Sequence, residues 1–96
     1  MNKKYFIELA GTVAFLYSLL LSEGNPIIIS IVYFAVSMIG EGITTGYFNP
    51  LGSFLMFFIG RITFEDFMYN IATQLVGMGC VAITFLPIKT YIDLAS

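Results

Sequence analysis

The charged residues of the chain stand at positions 3, 4, 8, 23, 41, 61, 65, 66, 89 and 93, and the apolar intervals between them outline its elements. A helix needs about 20 mostly apolar residues to cross about 30 Å of hydrocarbon. Tyr5 to Leu21 meets that length if Glu8 is accommodated near one end. A second span is predicted from Pro26 to Ile43, opened by the turn Glu23-Gly24-Asn25-Pro26, in which asparagine can cap and proline suits the first helical position. A third runs from Phe67 to Leu86. It follows Thr63-Phe64-Glu65-Asp66, where a hydroxyl can cap and the acids favour the positive end of the helix dipole. Pro87 is expected to stop it, leaving Ile88 to Ser96 as a short tail.

What remains, residues 42–60, carries no charge before Arg61 and contains Gly42, Gly46, Gly52 and Pro50. Asn49-Pro50 reads as the cap and first turn of a helix running from Pro50 to Ile59 and ending at Gly60. At ~1.5 Å per residue such a helix is about 15 Å long, half the depth of a bilayer. A half-length apolar helix approached through a glycine-rich stretch is the pattern of a re-entrant segment. Non-helical backbone persists at membrane depth only where protein or a water-filled cavity satisfies it, so Gly42 to Asn49 should line a cavity. The alternative is a complete but kinked fourth helix from Ile43 to Ile59.

Polar and small residues recur at helical spacing: Glu8, Thr12 and Ser18, with Phe15 among them, on one face of the first span, Ser30, Tyr33 and Ser37 on the second, Thr73, Gly77, Cys80 and Thr84 on the third. Small and hydroxyl residues also mark ordinary helix packing in membranes, and for the third span packing is the preferred reading. Composition agrees with lipid as the solvent. Of 96 residues, 58% are hydrophobic and 10% charged, against about a quarter charged in soluble domains. Four basic residues and a net charge of −2 exclude the Lys/Arg field that nucleic-acid binding needs. A single cysteine, Cys80, allows no disulfide framework or multi-cysteine metal site within one chain and reads as packing. The basic tip and apolar start also suit a secretory signal, but Glu8 interrupts the apolar region and Leu20 to Gly24 offers no small-x-small cleavage pattern. There is no histidine, no nucleophile–base pair and no phosphate-cradling loop, so neither an enzyme nor a cofactor or metal is expected.

The run Thr45-Gly46-Tyr47-Phe48-Asn49-Pro50-Leu51-Gly52-Ser53 resembles the signature loop of the major intrinsic protein family, the aquaporins and glycerol facilitators. Three further patches fall in the family's order: Glu8-Leu9-Ala10-Gly11-Thr12, Gly60-Arg61-Ile62-Thr63, and Tyr69 to Gly77 with its Ala72-Thr73-Gln74-Leu75-Val76-Gly77. The resemblance implies three membrane-spanning helices plus one re-entrant half helix, an aquaporin-like half. It implies a pore motif at Asn49, Pro50 and Leu51, with Glu8 and Gln74 supporting the backbone of the re-entrant loop. It places Gly46 and Gly52 at the constriction, with apolar walls near Ile29 and Phe48. Family members carry two inverted repeats in one longer chain, whereas this chain has one. Leu51 replaces the usual alanine, and Gly52 stands where the second repeat usually has an arginine.

Physics gives the motif a role of its own. A half helix beginning at Asn49 aims unpaired backbone N–H groups and its positive dipole end at the midplane. The Asn49 amide can donate a hydrogen bond to a passing water or hydroxyl. The leading expectation is a passive channel for water and small neutral solutes such as glycerol. One repeat makes half a pore, so the partner is a second copy in inverted orientation or a separate half-channel chain, within a lipid bilayer. Lys3, Lys4 and Arg61 on one side against Lys89 on the other favour a cytoplasmic N-terminus, and dual topology stays open. Two other readings remain. One is a small dual-topology multidrug-type exporter, a family that Glu8 to Thr12 and Ser22-Glu23-Gly24 also resemble, with Glu8 coupling protons. The other is a non-conducting scaffold or accessory subunit. Glu41, near the end of the second span, has no assigned role.

Overall fold

A computed structural model describes residues 3–43 and 48–95. Gly46, one of the expected constriction positions, lies outside the described residues. The described chain is all-helical: α1 (Lys3–Leu21), α2 (Pro26–Ile39), α3 (Pro50–Phe58) and α4 (Phe64–Ala95). Three of these helices start at side-chain caps. Asn25 Oδ1 accepts the N–H groups of Ile27 and Ile28, Asn49 Oδ1 accepts that of Gly52, and Thr63 Oγ1 accepts that of Asp66. The turn from α1 to α2 closes through Gly24 N–H to Leu19 O, with Glu23 and Gly24 both in the left-handed region.

α1 lies at the centre, with α2 and α4 packed along it and α3 packed on α4. Partners along α1 and α4 advance in step: Lys4 with Asp66, Tyr5 with Tyr69, Glu8 with Gln74, and Tyr17 with Thr84. The two helices therefore run parallel. Phe15 meets Tyr33 edge-on, and Ile7 lies against Gly40, so α2 runs antiparallel to α1. Ser53 meets Gln74 while Phe57 stacks on Phe67 and reaches Phe64, so α3 runs antiparallel to α4. α3 thus begins beside the middle of α1 and returns to the end where α1 and α4 start.

The burial pattern is inverted relative to a water-soluble fold. The buried polar side chains are Glu8, Thr12, Ser18, Ser53, Asn70 and Gln74, whereas the buried hydrophobic ones among the described residues are Phe48, Phe67 and Val81. Large apolar side chains such as Ile27, Ile31, Phe34, Leu51 and Ile83 face outward. In water that surface would drive aggregation, and in lipid it is matched to its solvent. α1 and α4 are both long and apolar enough to cross a membrane.

Element lengths correct the sequence-based expectation at several points. α2 stops at Ile39, not Ile43, where Gly40 turns its N–H back to Val36 O and Gly42 takes a positive φ of 75°. Its 14 residues rise about 21 Å, short of a full span. α3 ends at Phe58, one residue early, with Ile59 as its cap. α4 begins at Phe64 and continues through Pro87 to Ala95. Proline deletes one backbone donor and kinks a helix, but the turns beyond it still close, with Thr90 Oγ1 bonded to Leu86 O and Lys89 paired with Asp93. At 32 residues α4 is about 48 Å long, which accounts for the 49 Å length of the molecule. Cys80, expected to be packed, is exposed on α4.

Candidate functional site: the N-terminus of the half helix and its buried support

Glu8 and Thr12 are four residues apart on α1 and therefore share a face. Both bind the backbone of one residue, Phe48. The Phe48 N–H donates to Glu8 Oε2 at 3.0 Å, and the Thr12 hydroxyl donates to the Phe48 carbonyl at 3.2 Å. Gln74 of α4 completes the arrangement from the other side: its Nε2 donates to Glu8 Oε2 at 3.2 Å and to Ser53 Oγ of α3 at 3.0 Å. Glu8 and Ser53 are 0% exposed and Gln74 is 3% exposed, so these bonds lie in the interior. There a backbone N–H left without an acceptor costs several kcal/mol. Gln74 Oε1 has no hydrogen-bond partner among the described residues, and neither does the buried Ser37 Oγ on α2.

Phe48 takes a left-handed backbone conformation, φ 68°, which costs an L-residue with a Cβ about 1–2 kcal/mol. The two hydrogen bonds to α1 and the burial of the ring offset that cost. The ring lies against Gly11, where an added Cβ would stand 2.2 Å from its Cδ1 and Cε1, and 6.2 Å from the Tyr33 ring, edge-on. Asn49 then reverts to extended backbone, φ −147° and ψ 153°, and caps α3 through Oδ1, with Pro50 at the first helical position. Capping engages the side-chain carbonyl oxygen of Asn49, and its amide NH2 is a separate pair of donors.

The remaining candidate residues are distributed unevenly. Leu51 is 81% exposed and Gly52 half-buried at the start of α3. Phe48, by contrast, is 2% exposed, wedged between α1 and α2. Ile29 is half-buried in an open groove of about 500 Å³ that it shares with Phe15, Ser30, Tyr33, Phe34 and Ser37. Glu41 is exposed just beyond α2. Among the described residues no group of three His, Cys, Asp or Glu side chains is placed to hold a metal.

Sequence reasoning missed Ser53, Asn70 and the role of Gly11. Ser53 follows Asn49 by one helical turn and Asn70 precedes Gln74 by one, so the 3.6-residue period was the signal available for both. Nothing in the period announces that Gly11 accommodates a ring from 37 residues away. Comparisons with protein-family models, curated proteins and solved structures find no match for this chain, and its functional reading rests on the geometry above and on the sequence pattern.

Proposed function

We propose that the chain is a membrane-embedded half-channel that passes water and small uncharged solutes such as glycerol. The pore forms when two copies pair in inverted orientation, or when a second chain supplies the other half. One observation carries this reading: an Asn49-capped half helix whose preceding residue, Phe48, is tied through its backbone by Glu8 and Thr12 to a helix long enough to span. Its N-terminus then faces the bilayer interior, with its backbone donors and positive dipole end directed there. Two such ends facing each other across a pairing axis repel cations while the Asn49 amides orient neutral hydrogen-bonding solutes.

α2 and α3 both pack on other helices rather than on each other. The space along α2 is the open groove of Ile29, Tyr33 and Ser37, and Leu51 and Gly52 stand at the start of α3. A partner half laid over this space would close a passage with hydroxyl groups and apolar walls, and with glycine where a guanidinium would narrow it. The test is stopped-flow light scattering on proteoliposomes containing this chain alone. Water and glycerol flux well above empty liposomes, without ion conductance, supports the channel. Absence of both fluxes sinks it as a self-paired channel, and recovery of flux on adding a second half-channel chain supports the heteromeric form.

A further inference from the structure

We infer that Phe48 is the positioning residue of the half helix, its ring seated in a glycine socket that sets the depth and direction of Asn49; the inference rests on the channel reading. Three observations converge on it. Phe48 occupies a left-handed conformation that glycine adopts at no steric cost, yet a large aromatic residue stands there with 2% of its surface exposed. The socket is made from two helices. Gly11 of α1 lies where any Cβ would overlap the ring, and Gly40, the residue that ends α2, would bring a Cβ to 3.3 Å from the ring's Cζ. Ile7, Val36 and Ile39 border the cavity of about 220 Å³ beside the ring.

The backbone of the same residue is held at both polar groups, its N–H by Glu8 and its carbonyl by Thr12. Hydrogen bonds alone fix the peptide's height along α1 but leave it able to pivot about that line. The ring removes the pivot, because it is confined between Gly11 of α1 and Gly40 and Tyr33 at α2. Asn49 is the next residue, so the direction in which its amide and the α3 axis point follows from how deeply the ring seats. Phe48 therefore acts through Asn49 and touches no solute itself.

The experiment separates ring from backbone. A spin label is placed at Leu51→Cys in a Cys80→Ala background, in liposomes, and its depth is read from accessibility to oxygen and to a water-soluble nickel chelate. Phe48→Gly keeps the backbone bonds and favours the left-handed conformation, so a purely backbone role leaves depth unchanged. The positioning role shifts the label toward the aqueous probe by about threefold in accessibility, at the lower end of coupling between contacting residues. Gly11→Ala, which displaces the ring, gives a shift of the same sign. The double variant shifts no further than either single one, since both break one contact. Phe48→Leu, which keeps a smaller wedge, gives a partial shift and serves if Phe48→Gly fails to assemble. Unchanged depth in Phe48→Gly or in Phe48→Leu, or shifts that add in the double variant, overturns the inference. Depth is read without flux, so a protein that conducts nothing yet shows the ring-dependent shift overturns the channel reading alone.

Discussion

Glu8 Oε2 and Gln74 Nε2 meet at 3.2 Å across 66 positions of sequence, and the same Glu8 oxygen takes the N–H of Phe48. A single carboxyl oxygen thereby joins α1, α4 and the residue that leads into α3. Removing it leaves a buried backbone donor and a buried amide donor without their acceptor, a loss of about 2–4 kcal/mol by the usual cost of such groups. Glu8→Ala should sharply lower the yield of monodisperse protein in detergent, whereas Glu8→Gln, which keeps an acceptor oxygen, should lower it less. Proton-gradient-driven solute uptake abolished equally by both changes, with assembly intact, would instead favour the exporter.

The directions of the helices make a topological prediction. α3 returns to the end where α1 and α4 begin, so Lys3 and Arg61 belong on one side of the membrane and Ala95 on the other. With single or paired cysteines in a Cys80→Ala background, an impermeant reagent should modify positions 3 and 61 in the same molecules and position 95 in the remainder. This linkage holds whether one or both orientations are present. Modification of 61 together with 95 would make the segment a full crossing and remove the half-channel.

Pro87 lies inside a continuous helix, so its replacement should help rather than harm. Pro87→Ala restores the N–H that bonds to the Ile83 carbonyl and relieves the clash there, and about 1 kcal/mol of added stability is expected. Thermal unfolding in detergent measures it. A loss of stability would mean that the proline itself is needed by the packing.

Gly52 is expected to set the width of the passage. Gly52→Arg places a long cation beside Asn49, and glycerol flux should fall more than water flux, with ions still excluded. Water flux without glycerol flux in the unmodified protein would contradict the wide passage and with it this assignment of Gly52.

Much of the local architecture was legible because it depends on short-range rules. Asn25, Asn49 and Thr63 each cap the helix that follows, as a hydroxyl or amide before an apolar run can do with its own backbone. The apolar intervals marked α1 and α4 because a membrane span declares itself by length and composition. Two boundaries went wrong for a physical reason. Proline and glycine bias the backbone without dictating it, so α4 continued past Pro87 while α2 gave way at Gly40, next to the charged Glu41.

By itself, then, the sequence determined an all-helical chain in which α1 and α4 are fit to span, while the span expected at α2 proved too short, and it marked the buried polar face of Glu8, Thr12 and Ser18. Only the tertiary structure decided which polar groups pair. Glu8 was legible as a costly buried carboxyl, but that its oxygen is shared by Phe48 and Gln74 depends on α1 and α4 running parallel in one register. That the Phe48 ring is enclosed was not legible, because the space for it exists only where Gly11 of α1 and Gly40 at the end of α2 come together. A side chain's task in a packed interior is set by the gap it fills, and that gap is made by residues distant in the chain.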